Sequence, residues 1–208
     1  MMQSIAALRF EKVAEADFPT RWGFFRIFGF QGRPNGQMEE AVVLRMGDLH
    51  APAALPPLVR IHSECLTGDV FHSLRCDCRA QLEMTLQAIA EEGRGLLIYE
   101  HQEGRGIGLL NKLRAYELQD AGADTVEANV QLGFAADLRG YQLPGEILRF
   151  FDLREIRLLS NNPDKVAAVE RAGIKVVERV PCLVEAVQSR EAYLRTKKEK
   201  MGHLLEGF

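Results

Sequence analysis

The 208-residue sequence lacks several features that would assign it to a specialised class of protein. It contains no run of about 20 apolar residues, so we expect no membrane-spanning segment and no membrane partner. Its first eight residues include no basic stretch, and we predict no signal peptide. It has four cysteines, which over this length do not indicate a disulfide framework. These absences favour a cytoplasmic protein in a reducing environment.

A strong net charge is also missing. The formal net charge is −3, so we expect no nucleic-acid partner, and any anionic ligand would need a local basic site. No internal repeat, low-complexity tract or linker-like composition is evident, and we therefore predict one domain over residues 1–208. The hydrophobic fraction of 47% is enough to build a substantial core.

The pattern of apolar residues predicts an α/β fold with one mixed β-sheet flanked by helices and a strand-rich N-terminal part. Strands are predicted over residues 5–30 and 39–46 with a turn at 31–36, and later over 96–99, 156–159 and 174–180. Helices are predicted over 78–92, 107–119, 144–152 and 163–172, and a basic C-terminal helix over 190–203.

Three of the four cysteines, Cys65, Cys76 and Cys78, lie within fourteen positions. Three soft ligands without a fourth describe a zinc site with one open position, which is typical of catalytic rather than structural zinc. Two other interpretations fit the spacing. The thiols could be buried and reduced without a metal, or His62 or His72 could complete a closed structural site.

Three further motifs carry weaker signals. The glycine-rich run from Glu100 to Gly108 follows a strand and opens a helix, so it fits either an anion-binding loop or a simple turn. Tyr116 taken alone fits a core aromatic residue. Asp137 and Arg139, two positions apart, fit a surface ion pair.

Taken in order along nearly the whole chain, these motifs resemble those of the GTP cyclohydrolase II family. The resemblance is carried by Arg60–Asp69, Leu74–Cys78, Gln81–Glu83, Gln102–Leu109, Asp124–Asn129, Leu132–Phe134, Asp137–Arg139, Asn161–Pro163 and Lys200–His203. It implies hydrolysis of GTP to 2,5-diamino-6-(5-phospho-ribosylamino)pyrimidin-4(3H)-one, formate and pyrophosphate, the first step of riboflavin biosynthesis. It also implies one catalytic zinc per subunit, magnesium with the GTP phosphates, and a homodimer.

The resemblance assigns roles by position. It matches the zinc ligands to the three cysteines and the catalytic positions to Tyr116, Asp137 and Arg139. It matches the nucleotide contacts to Arg60, Ile61, His62, Ser63, Glu64, Gln81, Glu103, Gly104, Arg105, Thr125, Ser160 and Lys165. This places His62 in the nucleotide-contacting run and gives His72 no ligand role.

The residue chemistry agrees with these roles. Opening the imidazole ring at guanine C8 requires hydroxide, and zinc generates hydroxide from bound water at neutral pH. Arg60, Arg105 and Lys165 suit phosphate oxygens, and Glu103 is a candidate partner for magnesium. The family is described as using the arginine at position 139 as a nucleophile on the α-phosphate, with Asp137 as its base. Because a guanidinium has no free lone pair, the alternative is that Arg139 stabilises charge while water attacks.

The sequence departs from the family pattern at several positions. Arg79 and Ala80 stand where Gly-Phe is expected, Val130 replaces a His, and Ser160 stands for a Thr but keeps the hydroxyl. None of these changes removes a zinc ligand or a catalytic position. They leave open a secondary-metabolism paralogue, or a catalytically degenerate protein that binds a purine nucleotide and keeps a structural zinc.

Overall fold

The computed structural model describes residues 10–34, 36–135 and 137–183, together with residues 198 and 202. Its seven strands form one sheet in the order β1-β2-β3-β5-β4-β6-β7. The strands are β1 (Phe10–Thr20), β2 (Gly23–Gly32), β3 (Glu39–Met46), β4 (Leu58–Ser63), β5 (Gly95–Glu100), β6 (Glu155–Leu159) and β7 (Lys175–Val180). The helices are α1 (Leu66–Asp69), α2 (Cys78–Glu92), α3 (Leu109–Asp120), α4 (Thr125–Gln131), α5 (Gln142–Phe150) and α6 (Pro163–Arg171).

The sheet is mixed, as predicted. Strands β1, β2, β3 and β5 pair antiparallel as a meander closed by β5. Strand β4 pairs parallel with both β5 and β6, and β6 pairs parallel with β7. The predicted α/β class with a strand-rich N-terminal part is therefore confirmed.

Each face of the sheet packs against its own hydrophobic cluster. On one face, α5 and α6 contribute Leu143, Ile147 and Val169 to a core that includes Val59 and Ile61 of β4. On the other face, Leu86 and Ile89 of α2 pack with Leu58 and Leu97. Because side chains alternate along a strand, successive residues of β4 point to opposite layers.

Several predicted boundaries change. The strand expected over residues 5–30 is a hairpin, because Arg21 and Trp22 form a turn between β1 and β2. The helix expected from residue 107 begins at Leu109, after a 3-10 turn over Glu103–Gly106. The short helices α1 and α4 were not predicted. The predicted helix 190–203 lies outside the described residues, apart from 198 and 202.

Candidate functional site

The largest group of predicted site residues meets at the carboxyl ends of the parallel strands β5, β4 and β6. The last residues of β4 and the segments that follow all three strands line one cavity. Helices that follow parallel strands start at this edge of the sheet and point their free N–H groups towards it. Sheet topology alone thus brings together segments that are up to a hundred positions apart.

The three clustered cysteines converge on one point of this cavity. Cys65 precedes α1, and Cys78 is the first residue of α2. The Sγ atoms of Cys65 and Cys76 are 3.6 Å apart, and the three sulfurs lie within 4.8 Å of one another. Sulfurs at the corners of a zinc tetrahedron, with Zn–S near 2.3 Å, are about 3.8 Å apart. The arrangement therefore fits a metal held by three thiolates.

Neither histidine considered as a fourth ligand belongs to this group. Among the described residues, the cluster with metal-ligand spacing contains only the three cysteines. His62 is buried and its Nε2 lies 3.1 Å from a carboxylate oxygen of Asp69, which also accepts from the Cys65 backbone N–H and the Tyr99 hydroxyl. Burial lowers the pKa of His62, which favours the neutral ring. His72 is exposed.

Close packing around a glycine permits the sulfurs to converge. A Cβ atom on Gly68 would lie 2.8 Å from the Cys76 sulfur and 3.1 Å from the Cys65 sulfur. Only a residue without a side chain leaves that volume to the thiolates. Arg79, a departure from the family pattern, donates from Nη1 to the Asp69 carbonyl at 2.6 Å and so ties the end of α1 to α2.

The electrostatics of the cluster favour a thiolate at Cys65. Hydrogen bonds with the Cys76 and Cys78 thiols, joined by the charge of Lys112, hold the pKa of Cys65 well below its usual range. The shared hydrogen bond with Cys65 raises the pKa of Cys76 to about 11. A divalent cation would remove this competition, since it binds thiolates and not thiols.

A buried ion pair borders the cluster. Lys112 donates from Nζ to Cys65 Sγ at 3.1 Å and to Glu103 Oε1 at 2.7 Å. The second carboxylate oxygen of Glu103 accepts from the Leu66 backbone N–H at 2.7 Å. Glu103 thereby links the glycine-rich turn to the loop that carries Cys65.

Tyr116 lies one helical turn after Lys112 on α3 and lines the same cavity. Its hydroxyl is 3.1 Å from Thr67 Oγ1, and the guanidinium of Arg75 lies 4.7 Å from its ring centre. Burial raises the pKa of Tyr116, so its hydroxyl keeps its proton at neutral pH. The predicted catalytic tyrosine is thus beside the cysteine cluster.

Asp137 and Arg139 form a bidentate ion pair, of which Arg139 lines the cavity. Arg139 Nε donates to Asp137 Oδ1 at 2.9 Å, and Nη2 donates to Oδ2. Burial opposes ionisation of Asp137, but the hydrogen bonds and charge of Arg139 outweigh it and hold its pKa below the usual range. Arg139 Nη1 and Lys165 Nζ both reach Ser63 Oγ, at 3.4 Å and 3.1 Å.

Further cationic groups line the cavity. Arg60 is buried and held by the Leu159 carbonyl and by Gln81. Arg105 adopts a left-handed backbone conformation with φ of 62°, following Gly104 in the same conformation. Within the described part of the chain, both terminal nitrogens of Arg105 are buried and lack a hydrogen-bond partner. Buried unsatisfied donors of this kind indicate a site for an anion.

The predicted site residues are largely brought together. All three cysteines, Tyr116 and Arg139 line the cavity, as do Arg60, His62, Ser63, Glu64, Gln81, Glu103, Gly104, Arg105, Ser160 and Lys165. Ile61 places its side chain in the core, and its carbonyl accepts from Lys165 Nζ at 2.9 Å. Asp137 reaches the cavity through Arg139. Thr125 is the first residue of α4, and its side chain lies outside the described part.

Some lining residues received no role from the sequence. Lys112, Arg75 and Asn129 line the cavity. For these three the sequence offered one signal: Lys112 lies four positions before Tyr116 and so shares its helix face. Asn161 and Asn162 also line it, and they follow β6 at the same sheet edge. Ligands of α/β proteins bind beyond the carboxyl ends of the parallel strands, and this rule applied to β6 would have identified both asparagines.

The fold and site together define a class, an α/β protein with a thiolate cluster that can hold a metal beside a cationic cavity. The family model described as GTP cyclohydrolase II matches residues 11–181 of this chain. The chain belongs to the GTP cyclohydrolase II family, as the sequence motifs predicted.

Similarity to relatives named GTP cyclohydrolase-2 extends over nearly the full length of the chain. A GTP cyclohydrolase-2 from Pectobacterium atrosepticum is 54% identical over 199 residues, which cover 96% of this chain and 99% of the relative. One from Escherichia coli O9:H4 is 54% identical over 198 residues, covering 95% and 99%. A two-domain 3,4-dihydroxy-2-butanone 4-phosphate synthase from A. baumannii aligns with 85% of this chain and 41% of its own, at 16% identity and a TM-score of 0.45. That likeness is too weak to add to the assignment.

Proposed function

We propose that this protein hydrolyses GTP to 2,5-diamino-6-(5-phospho-ribosylamino)pyrimidin-4(3H)-one, formate and pyrophosphate, as the first step of riboflavin biosynthesis. One observation carries the proposal: a three-cysteine cluster with metal geometry shares a cavity with buried, partly unsatisfied guanidinium groups. The relatives named GTP cyclohydrolase-2, at 54% identity, support it.

Cys65, Cys76 and Cys78 would hold the metal, for which zinc is the ion we propose because thiolates suit it. When bound, zinc supplies the Lewis acidity that activates water at neutral pH. The protein's own groups then orient the reactants. Tyr116, held by Thr67, offers a hydroxyl proton beside the cysteine cluster, where a guanine ring can be hydrogen-bonded.

The phosphate end of the substrate would lie towards Arg60, Arg105 and Lys165. Arg105 has two buried nitrogens that need acceptors, and phosphate oxygens satisfy them in bidentate geometry. We assign magnesium to the phosphates. Glu103 is a poorer ligand for it than the sequence indicated, because both of its oxygens accept hydrogen bonds within the protein.

Asp137 would fix the orientation of Arg139 at the phosphates. Because the ion pair is bidentate and Asp137 favours its ionised form, the pair stabilises the charged guanidinium. A charged Arg139 supports the first alternative, in which it stabilises the charge on the leaving pyrophosphate. In the second, covalent alternative Asp137 must first take a proton from Nε or Nη2 of Arg139. Trapping a guanylyl adduct separates the two: if Arg139→Lys loses the adduct but still releases pyrophosphate, the covalent role is wrong.

Several broader expectations complete the proposal: a single domain, cytoplasmic location, a homodimer, and no nucleic-acid or membrane partner. No helix within the described ranges has the length and apolar character that crossing a bilayer requires. Sedimentation of the purified full chain would test the dimer directly.

The activity is tested by incubating purified protein with GTP and magnesium, with and without a zinc chelator. Formate and a new pyrimidine absorbance that disappear on chelation and return with zinc support the proposal. Unchanged GTP in the presence of stoichiometric zinc would instead indicate a nucleotide-binding protein with a structural metal. Comparing GTP with GMP and ATP tests whether a paralogue acts on another purine nucleotide.

A further inference from the structure

Lys112 donates a hydrogen bond from its ammonium group to a cysteine of the cluster. Its Nζ lies 3.1 Å from Cys65 Sγ, and its side chain is only 12% exposed. Glu103 fixes this position from the other side at 2.7 Å. The lysine is therefore held in place against the sulfur and is not a solvated surface charge.

The charge of the cluster gives this contact a consequence. A divalent metal with three thiolates has a net charge of −1, and excess thiolate charge weakens the metal as a Lewis acid. A cation that donates to one sulfur withdraws charge from that ligand. The carboxylate of Glu103 offsets part of this effect, but its charge is shared with the Leu66 and Gly104 backbone N–H groups, from which it also accepts.

We propose that Lys112 is a positioning residue that tunes the metal centre by donating a hydrogen bond to the Cys65 thiolate, so that a three-thiolate site stays electrophilic enough for hydrolysis. The benefit of this contact for hydrolysis rests on the proposed function. The contact itself and its effect on a bound metal can be measured without GTP. In this role Lys112 acts through Cys65, the metal ligand that it contacts.

The competing explanation is structural. The Glu103–Lys112 pair joins α3 to the glycine-rich turn, so its loss could simply loosen the cavity. A loosened cavity would lower substrate affinity and thermal stability but would leave the electronic character of a bound metal unchanged. A spectroscopic readout therefore separates the two.

The experiment replaces zinc by Co(II) in the full-length protein and records the sulfur-to-cobalt charge-transfer band. In Lys112→Met, the Cys65 thiolate loses its donor, holds its electrons less tightly, and shifts the band to lower energy. Lys112→Arg keeps charge and N–H donors and should hold the band near the parental position. With zinc, Lys112→Met should lose about 10–100-fold in kcat with a smaller change in KM, and Lys112→Arg should recover part of the loss.

Arg114→Met is the matched control, because Arg114 lies on the same helix, is exposed, and bonds only to Asn111 among the contacts described. An unchanged band in Lys112→Met, or unchanged kcat, would overturn the proposal. If Lys112→Met does not fold, Lys112→Leu takes its place, because leucine also lacks an N–H donor: a shifted band supports the proposal and a parental band contradicts it. Failure of the parent protein to bind Co(II) through thiolates would instead contradict the proposed metal centre.

Discussion

Glu100 offers a quantitative test of the structure, because it is a carboxyl group at 1% exposure at the end of the central strand β5. Within the described residues, its Oε2 has no hydrogen-bond partner, and its Oε1 accepts from Gln102 at 3.2 Å. Burial raises its pKa to about 8, with the charge of Glu39 adding to the rise and the charges of Lys165 and Arg139 opposing it. Glu100 is therefore largely protonated in the folded protein at neutral pH.

The direction of the pH effect follows from proton binding. The unfolded chain releases the Glu100 proton near its ordinary pKa of 4.5, whereas the folded chain keeps it until about pH 8. Between these values the folded state binds more protons, so this group's contribution to stability falls as pH rises. Each pH unit between the two pKa values lowers the free energy of unfolding by about 1.4 kcal/mol. Complete ionisation of Glu100 therefore lowers it by roughly 5 kcal/mol.

The Glu100→Gln variant removes this cost, since an amide has nearly the shape of the protonated acid and keeps an acceptor for Gln102. The free energy of unfolding of the variant minus that of the parent should grow by about 2.5 kcal/mol from pH 6 to pH 8.5. Comparing two pH values cancels any constant effect of the substitution and the titration of the cysteines that both proteins share.

The assay is urea unfolding of metal-loaded protein at half-unit pH steps. Glu40→Gln is the control, because Glu40 belongs to β3 next to Glu39 but is exposed. Its difference from the parent should not change over the same range. If the free energy of unfolding of Glu100→Gln minus that of the parent stays constant with pH, the raised pKa of Glu100 is refuted. A Glu39→Gln variant should move the Glu100 midpoint to lower pH, because the neighbouring negative charge is removed.

Three other substitutions test the site and its supports. Gly68→Ala should lower zinc affinity at least tenfold in a chelator competition, because its Cβ would fall 2.8 Å from the Cys76 sulfur; parental affinity would contradict the geometry. Cys76→Ser should leave the purified protein without stoichiometric zinc by metal analysis and without formate release, whereas Cys182→Ser, a buried cysteine outside the cluster, should keep both. Asp124→Ala removes the capping box of α4 and should cost about 1 kcal/mol in urea unfolding, unless that helix is held by packing alone.

The fold was predictable where local periodicity matched tertiary contacts. Helix α2 follows its apolar spacing and ends at Gly93, whose φ of 65° suits glycine. Helix α4 was missed although Asp124 and Glu127 form a capping box, because seven residues give too few turns for a periodic signal. The turn at Arg21 and Trp22 was missed although Pro19 and Gly23 flank it, because the two turn residues themselves are neither glycine nor proline.

The site was predictable in its residue types but not in its contacts. The spacing of the cysteines indicated a metal, and the family resemblance already placed His62 outside the ligand set. The bond of His62 to Asp69 supplies the physical reason, which the sequence alone did not contain. The Lys112–Cys65 contact joins positions 47 apart, and no local pattern contains it. Such contacts depend on the order of strands in the sheet, which the sequence does not display.

Alternation along one strand explains how a single cavity has two chemically different sides. Arg60 and Leu58 of β4 face the layer of α2, where Gln81 holds the guanidinium and Cys78 starts the helix. Ser63, on the other face, meets Lys165 of α6 and Arg139. Because a one-residue shift would exchange these faces, the register of β4 against β5 determines both the cysteine side and the Asp137–Arg139 side. The buried core on each face of the sheet is thus what sets the geometry of the site.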